Sequence, residues 1–229
     1  MTELLSISIL PVALTLFAYR IGVQCQKKFK LPIFNPILIG VIVVLMVLSV
    51  TGLERKVYQD GVKYISWLMT PATVCLAIPM YEQFQALKQN LKAILVGVAA
   101  GTVSCLTILL VSFLVLKFDP NLSLSLLPKG ITAAIGVSLS ELYGGTASIT
   151  TLGITITGIT GNMFGTLFCK WFGISDEIAQ GVAFGTGSHV IGTAKAGELS
   201  PLSGAVSSLS LVTAGLTTAV LFPVLTSFL

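Results

Sequence analysis

Five stretches of this chain contain no aspartate, glutamate, lysine, arginine or histidine: residues 31–53, 64–81, 93–116, 142–169 and 199–229. Each can hold about 18 or more consecutive, mostly apolar residues, the length a helix needs to cross roughly 30 Å of hydrocarbon. Transmembrane β-strands are excluded, because they alternate in hydropathy and run only about 10 residues. An ordinary soluble domain is excluded too, since about a quarter of its residues would be charged and here the share is 10%. The chain reads as an all-α polytopic protein of the lipid bilayer, a single integral domain over residues 1–229. Hydropathy gives about eight transmembrane or re-entrant segments: 4–19, 32–52, 64–81, 91–116, 122–142, 146–168, 178–194 and 202–228.

The net charge of +4 is no sign of nucleic acid as a partner, because the excess comes mostly from one expected loop, with Arg20, Lys27, Lys28 and Lys30. Basic residues beside a spanning helix mark a cytoplasmic face. The first apolar run has no basic residue ahead of it, unlike a secretory signal, so residues 4–20 are expected to be a retained helix with its N-terminus outside. If all eight segments cross, both ends lie outside. A loop bearing Lys88 and Lys92 then falls inside, and the mildly basic loop 54–63 falls outside. Cys25, Cys75, Cys105 and Cys169 are scattered without metal or redox spacing and read as small apolar fillers. No metal or cofactor is expected.

Three apolar segments are interrupted. The first carries Pro71 and Pro79 around Thr73; proline removes a backbone donor and clashes with the preceding turn. The second carries Pro128, Lys129 and Gly130, with Thr132 close behind. A cation at membrane depth is costly unless it snorkels, pairs or faces a wet cavity. A helix break supplies free N–H groups that attract anions. The third holds the only histidine, His189, with Ser188, Thr193 and Lys195 among Gly187, Gly192 and other glycines. Asn162 is a further polar residue in mid-segment. Glycines four residues apart, as at 97/101, 161/165 and 181/185, form faces that let helices approach closely, and a homodimer through such a face is plausible. A faint internal repeat pairs residues 68–82 with 126–141: each has an early proline, a threonine-rich stretch and a terminal glutamate.

Enzyme chemistry is not expected. One histidine cannot form a histidine cluster, Ser188 and His189 are adjacent and cannot face each other on a regular helix, and residues 145–149 are not a nucleophile elbow.

The combination LPIFNPILIG (31–40), TPATVCLAIPMYEQ (70–83), LLPKGIT (126–132) and GTGSHVIGTAKAGEL (185–199) closely resembles the LrgB/CidB family, which includes YohK-type proteins. The likeness covers essentially the whole chain. It implies a multi-pass protein of the bacterial inner (cytoplasmic) membrane that works with a small LrgA-like membrane partner. The family is described as antiholin-like and tied to murein hydrolase control and cell lysis. A plastid relative carries glycolate and glycerate, and some bacterial pairs are tied to pyruvate uptake. The resemblance supplies no agreed set of binding residues.

Together these readings favour a transport component for a small monocarboxylate anion. Lys129 and Lys195 would supply charge, Thr73, Thr132, Ser188 and Thr193 hydrogen bonds, Asn162 a polar contact, and His189 a proton-sensitive gate. The alternative is a lysis regulator that carries no solute.

Overall fold

The computed structural model describes residues 2–29 and 34–228, with side chains from residue 9 onward. Lys30 of the basic cluster and residues 31–33 at the head of the second apolar segment lie outside the described residues. Among those described, the chain is overwhelmingly helical and has no strand. It divides into two compact units, Met1–Cys75 and Leu76–Leu229.

The first unit holds α1 (Thr2–Phe29), α2 (Pro36–Thr51), α3 (Arg55–Gly61), α4 (Lys63–Trp67) and α5 (Met69–Cys75). The start of α2 follows from an Asn-Pro pair. Asn35 Oδ1 accepts from the N–H groups of Ile37 and Leu38, and Pro36 takes the first helical position, where no donor is needed. Gly52 ends the helix in the left-handed region at φ 66°. The helix α1 packs along α2 and α3, and Thr15 meets the Tyr58 hydroxyl at 2.7 Å.

The second unit holds α6 (Ala77–Glu82), α7 (Phe84–Leu116), α8 (Pro120–Leu126), α9 (Ala133–Leu142), α10 (Ala147–Trp171), α11 (Glu177–Leu199) and α12 (Pro201–Thr226). Its centre is the α11–α12 pair, with α10 against α11 and α7 against both. Leu87, Ile94 and Val98 of α7 form one core with Ala205, Val206 and Ala214 of α12. A second core joins Leu106 and Phe113 of α7 to Leu127 and Phe222. The same Asx/Ser-Pro grammar opens α8 and α12: Asp119 accepts from Asn121 and Leu122 N–H before Pro120, and Ser200 accepts from Ser203 N–H before Pro201.

The membrane assignment holds, and the segment count is refined. Five helical stretches are long and apolar enough to cross a bilayer: Ile9–Phe29, Lys63–Glu82, Phe84–Leu116, Ala147–Trp171 and Pro201–Thr226. The remaining expected segments are shorter, broken or more polar. The segment 122–142 is two short helices, α8 and α9, joined by non-helical residues 127–132. Of the five, Lys63–Glu82 is itself divided by turns into α4, α5 and α6, with Pro71 and Pro79 each in a first turn, where a missing N–H is harmless. The helix α11 is long enough but not among the five. It is wrapped by protein, with Gly181, Phe184, Gly185, Ser188, His189, Gly192, Thr193 and Ala196 all buried, and needs no lipid-compatible surface there.

Two expected loops are helix. Arg20, Lys27 and Lys28 lie on α1, the last two in its final turn, where cations complement the helix dipole. Lys88 and Lys92 lie on the first turns of α7. At about 1.5 Å per residue, the 33 residues of α7 outrun the hydrocarbon, so the helix continues past the lipid boundary that hydropathy detects.

Candidate functional site

Two of the interruptions meet inside the second unit. The first is the stretch between α8 and α9. After Leu126 the chain turns, with Lys129 N–H donating to Leu126 O at 3.1 Å and Ile131 N–H to Pro128 O at 3.3 Å. Thr132 then opens α9 in an extended conformation, and its side chain makes no capping bond. Leu127 and Pro128 are fully buried, so this irregular backbone lies within protein rather than lipid, as the absence of water in hydrocarbon requires.

The second interruption is a kink within α11 at His189, whose backbone adopts φ 43°, ψ −138°. That is a glycine-favouring region, and a side chain there costs about 1–3 kcal/mol. The neighbours hold it in place. His189 Nε2 lies 2.9 Å from Ile154 O of α10; facing a carbonyl, this nitrogen carries the proton and donates. Asn162 Nδ2, also on α10, donates to Ile191 O at 3.0 Å. Thr193 donates to His189 O at 2.8 Å, and its oxygen lies 2.9 Å from the Ser207 hydroxyl of α12. The kink is thus bonded on both flanks by α10 and α12.

The helix α10 comes close because its facing residues are glycines. A Cβ on Gly158 would sit 2.6 Å from His189 Cε1, one on Gly161 would overlap Ser188 Oγ, and one on Gly165 would overlap the Phe184 ring. The ladder that reads as packing in the sequence is therefore also what admits the kink.

Between α10, α11 and the 127–132 break lies a groove of about 410 Å³, in the range of small-molecule sites. Lys129, Thr157, Thr160, Gly187 and Ser188 supply its polar and backbone surface, and Phe184 and Cys169 are among its apolar walls. Thr157 donates to Gly153 O at 2.8 Å, leaving its oxygen as an acceptor. Among the described residues Lys129 forms no ion pair, and the one ion pair is Lys195–Glu198 at 2.8 Å. The groove therefore offers one uncompensated cation beside hydroxyls, a combination that suits a small anion.

Of the residues singled out from sequence, Lys129, Ser188 and Gly187 share this groove. His189, Asn162 and Thr193 adjoin it through the bonds that hold the kink, and do not line it. Thr132 opens α9 on the far side of the break. Lys195 pairs with exposed Glu198 one turn on. Thr73 belongs to the first unit, is exposed, and donates to Met69 O at 2.8 Å. Pro128 and Gly130 lie within the break on either side of Lys129, and Gly192 packs against Phe184 O and Ser188. Sequence reasoning missed Thr157 and Thr160. The sequence places Thr157 in a row with Gly153, Gly161 and Gly165, every fourth residue on one face of α10, which by itself reads as a packing face.

The strained kink gives an unusual stability order. His189→Ala and His189→Gly both lose the bond to Ile154 O, but only glycine relieves the positive φ. Glycine should therefore be the more stable variant by about 1 kcal/mol or more, the reverse of the usual helix rule. Denaturation of the two detergent-solubilised variants measures it; an alanine variant at least as stable would show that the backbone at 189 is relaxed.

The LrgB-like family model matches residues 15–228. Holin-like protein CidB of Staphylococcus epidermidis is 35% identical over 218 residues, 95% of either chain. Holin-like protein CidB of Staphylococcus aureus is 32% identical over the same length, again 95% of either chain. YxaC, an uncharacterized protein of Bacillus subtilis, is 35% identical over 205 residues, 90% of this chain and 89% of its own. No solved structure matches the chain.

Proposed function

The chain belongs to the LrgB-like family, and from that premise we propose that it is the solute-binding component of a carrier for small monocarboxylate anions of the pyruvate or glycolate type. The observation that carries this reading is Lys129, unpaired among the described residues, at a buried helix break in a groove lined by hydroxyls. The carboxylate would rest on Lys129, with Thr157, Thr160 and Ser188 offering hydrogen bonds. His189, Asn162 and Thr193 act one step back, holding the kink that presents Ser188. Interrupted helices around a polar site are a recurrent feature of secondary transporters. The reading includes no chemical step. It takes residues 1–229 as one integral unit in the bacterial inner membrane, working with a small LrgA-like membrane protein.

Two measurements test it. Purified protein should unfold at higher temperature in excess pyruvate or glycolate than in equal chloride, since a ligand at 100 times its Kd stabilises by about 2.7 kcal/mol. Vesicles holding the chain and its partner should accumulate labelled pyruvate. The holin-like names of the staphylococcal relatives favour a second reading, a regulator of murein hydrolase activity and lysis that moves no solute. Identical melting in all salts, with no uptake, would decide for that regulator.

A further inference from the structure

The kink at His189 does more than bend α11. On a straight helix the 23 residues Glu177–Leu199 would hold their ends about 33 Å apart. Instead the chain doubles back. Phe184 and Ala196, on either side of the kink, share one buried cluster. Ser203, in the first turn of α12, donates to Glu177 O at the head of α11 at 2.7 Å. A Cβ on Gly181 would sit 2.7 Å from Ser203 O, and one on Gly204 would sit 2.9 Å from Gly197 Cα. Both ends of α11 therefore lie at the same end of α12, and α11 is a re-entrant hairpin with His189 at its tip. The α8–α9 pair is a second hairpin. Asn121 Nδ2 donates to Gly144 O at 2.6 Å, and Thr146 N–H to Ser125 Oγ at 2.7 Å, so the two ends of this pair also meet, and Lys129 is at its tip. The tips approach each other: a Cβ on Gly130 would be 3.8 Å from Thr186 O.

The hairpins belong to an inverted repeat. The first arm of α11 runs parallel to α7, with Val182 at Gly97 and Thr186 at Gly101, and antiparallel to α10, with Phe184 at Gly165 and Ser188 at Gly161. So α7 crosses in one direction and α8–α9 enters from the face where α7 ends; α10 crosses back and α11 enters from the opposite face. Each repeat is one spanning helix and one hairpin with a basic residue at its tip. The sequence carries a matching echo: Lys129 is followed by TAAIG (132–136) and His189 by TAKAG (193–197). Inverted repeats of this kind hold a site at their shared interface, and the groove with Lys129 and Ser188 lies there. The groove occupies one half of the plan. Its walls are the C-terminal half of α10 and the first arm of α11, where Ala183 and Gly187 stand six and two residues before the tip. It opens toward the α10–α11 turn and ends at the tips. The matching half is the C-terminal half of α7 with α8, where Ser123 and Leu127 stand six and two residues before Lys129. That half is closed, because Leu127 packs with Leu106 and Phe113 of α7 in one buried cluster. Ser123 does not fit a permanent seal. It lies one turn before Leu127, is 1% exposed, and its Oγ has no hydrogen-bond partner. An unsatisfied buried hydroxyl is costly and calls for an explanation; a wet path in a second state supplies one.

We propose that the seam between α7 and α8 is the second, closed half of the solute path, which opens to the opposite face of the membrane when the groove closes. The inference rests on the monocarboxylate reading of the groove and gives the bound anion a further task. Taking a bare Lys129 through a closed, dry intermediate is costly. A carboxylate beside it offsets the charge, so the exchange between the two states is faster with solute than without.

The full chain is tested in right-side-out and inside-out membrane vesicles with a membrane-impermeant maleimide. Phe118→Cys and Glu141→Cys, at exposed positions on either side of the α8–α9 hairpin, should label from one face. Ser175→Cys and Glu198→Cys, exposed on either side of the α11 hairpin, should label from the other. A pair split between the faces would make its segment a crossing helix and overturn the repeat. Ser123→Cys should label slowly, only from the face of Phe118, and several-fold faster in pyruvate than in equal chloride. Native Cys105, whose Sγ would be 3.9 Å from a Cβ on Gly130 at the tip, reports on the same seam by peptide mass if Ser123→Cys does not fold. Seam thiols that never react from that face, in a protein that pyruvate stabilises, would overturn the second half of the path and leave the groove as a binding site. Seam labelling that is equally fast with and without pyruvate, in a protein that pyruvate stabilises, would overturn the further task of the anion. With neither stabilisation nor acceleration by pyruvate, the solute reading fails and takes the path with it, while the paired faces still establish the two hairpins.

Discussion

Lys129→Met should weaken monocarboxylate binding by about 10- to 100-fold without lowering the stability of the protein. The binding loss follows from the charge: a hydrogen bond to an ionised group contributes about 1.5–3 kcal/mol, and each 1.4 kcal/mol is tenfold in affinity. The preserved stability follows from the surroundings. Lys129 has no ion-pair partner among the described residues and sits half-buried beside buried Leu127 and Pro128. Methionine keeps most of its aliphatic stem and removes a charge that is costly at membrane depth. Melting in chloride should stay level or rise, while the stabilisation by pyruvate and the uptake into vesicles both collapse. Lys129→Arg should retain part of each. Full uptake in Lys129→Met would remove the lysine from the solute path and with it the reading of the groove. A variant that loses uptake and melts lower in chloride would instead make Lys129 a structural residue.

How much of this was legible beforehand depended on whether the cause was local. The apolar runs name the membrane because lipid imposes its demand on each segment separately. Pro128 and Gly130 mark a break because proline and glycine act on their own backbone. Helix ends were harder. Lys88 and Lys92 look like a loop, but hydropathy senses where lipid stops, and α7 extends beyond it. The kink was legible only as a region. Its glycines announce low helix propensity, but the residue that leaves the helical region is His189 itself. That choice is made by Ile154 and Asn162 of another helix, and no window of sequence contains it. Thr157 and Thr160 were hidden for a related reason: on α10 alone they belong to a small-residue packing face, and they become groove walls only once α11 is bent. The Lys195–Glu198 pair lies three residues apart, a spacing that on a helix already implies contact, so that interaction was there to be read.

The second large effect is expected at the seam between α11 and α12. Gly185→Ala should destabilise the protein by about 3 kcal/mol or more, at the upper end for overpacking. A Cβ at 185 would lie 2.5 Å from Ser207 O, 2.7 Å from Ser210 Cβ and 3.1 Å from Leu211 N. Two of these three are backbone atoms of a buried helix, so no rotamer change makes room and the helices must move apart. The separation would pull at the Ser203 hydroxyl bond to Glu177 O, 2.7 Å long, and at the 2.9 Å contact between Ser207 and Thr193. Since Thr193 also bonds His189 O, the disturbance reaches the kink, and solute binding should weaken along with stability. Gly197→Ala on the same helix is the control. Its Cβ meets nothing within 4 Å, so alanine's helix preference of about 0.8–1.0 kcal/mol should make that variant neutral or slightly more stable. Adding Ser210→Gly to Gly185→Ala removes one of the three clashes and leaves both backbone ones, so it should recover less than half of the loss. Equal unfolding midpoints for Gly185→Ala and Gly197→Ala would mean that α11 and α12 lie farther apart than this packing requires, and that the kink at His189 is held by α10 alone.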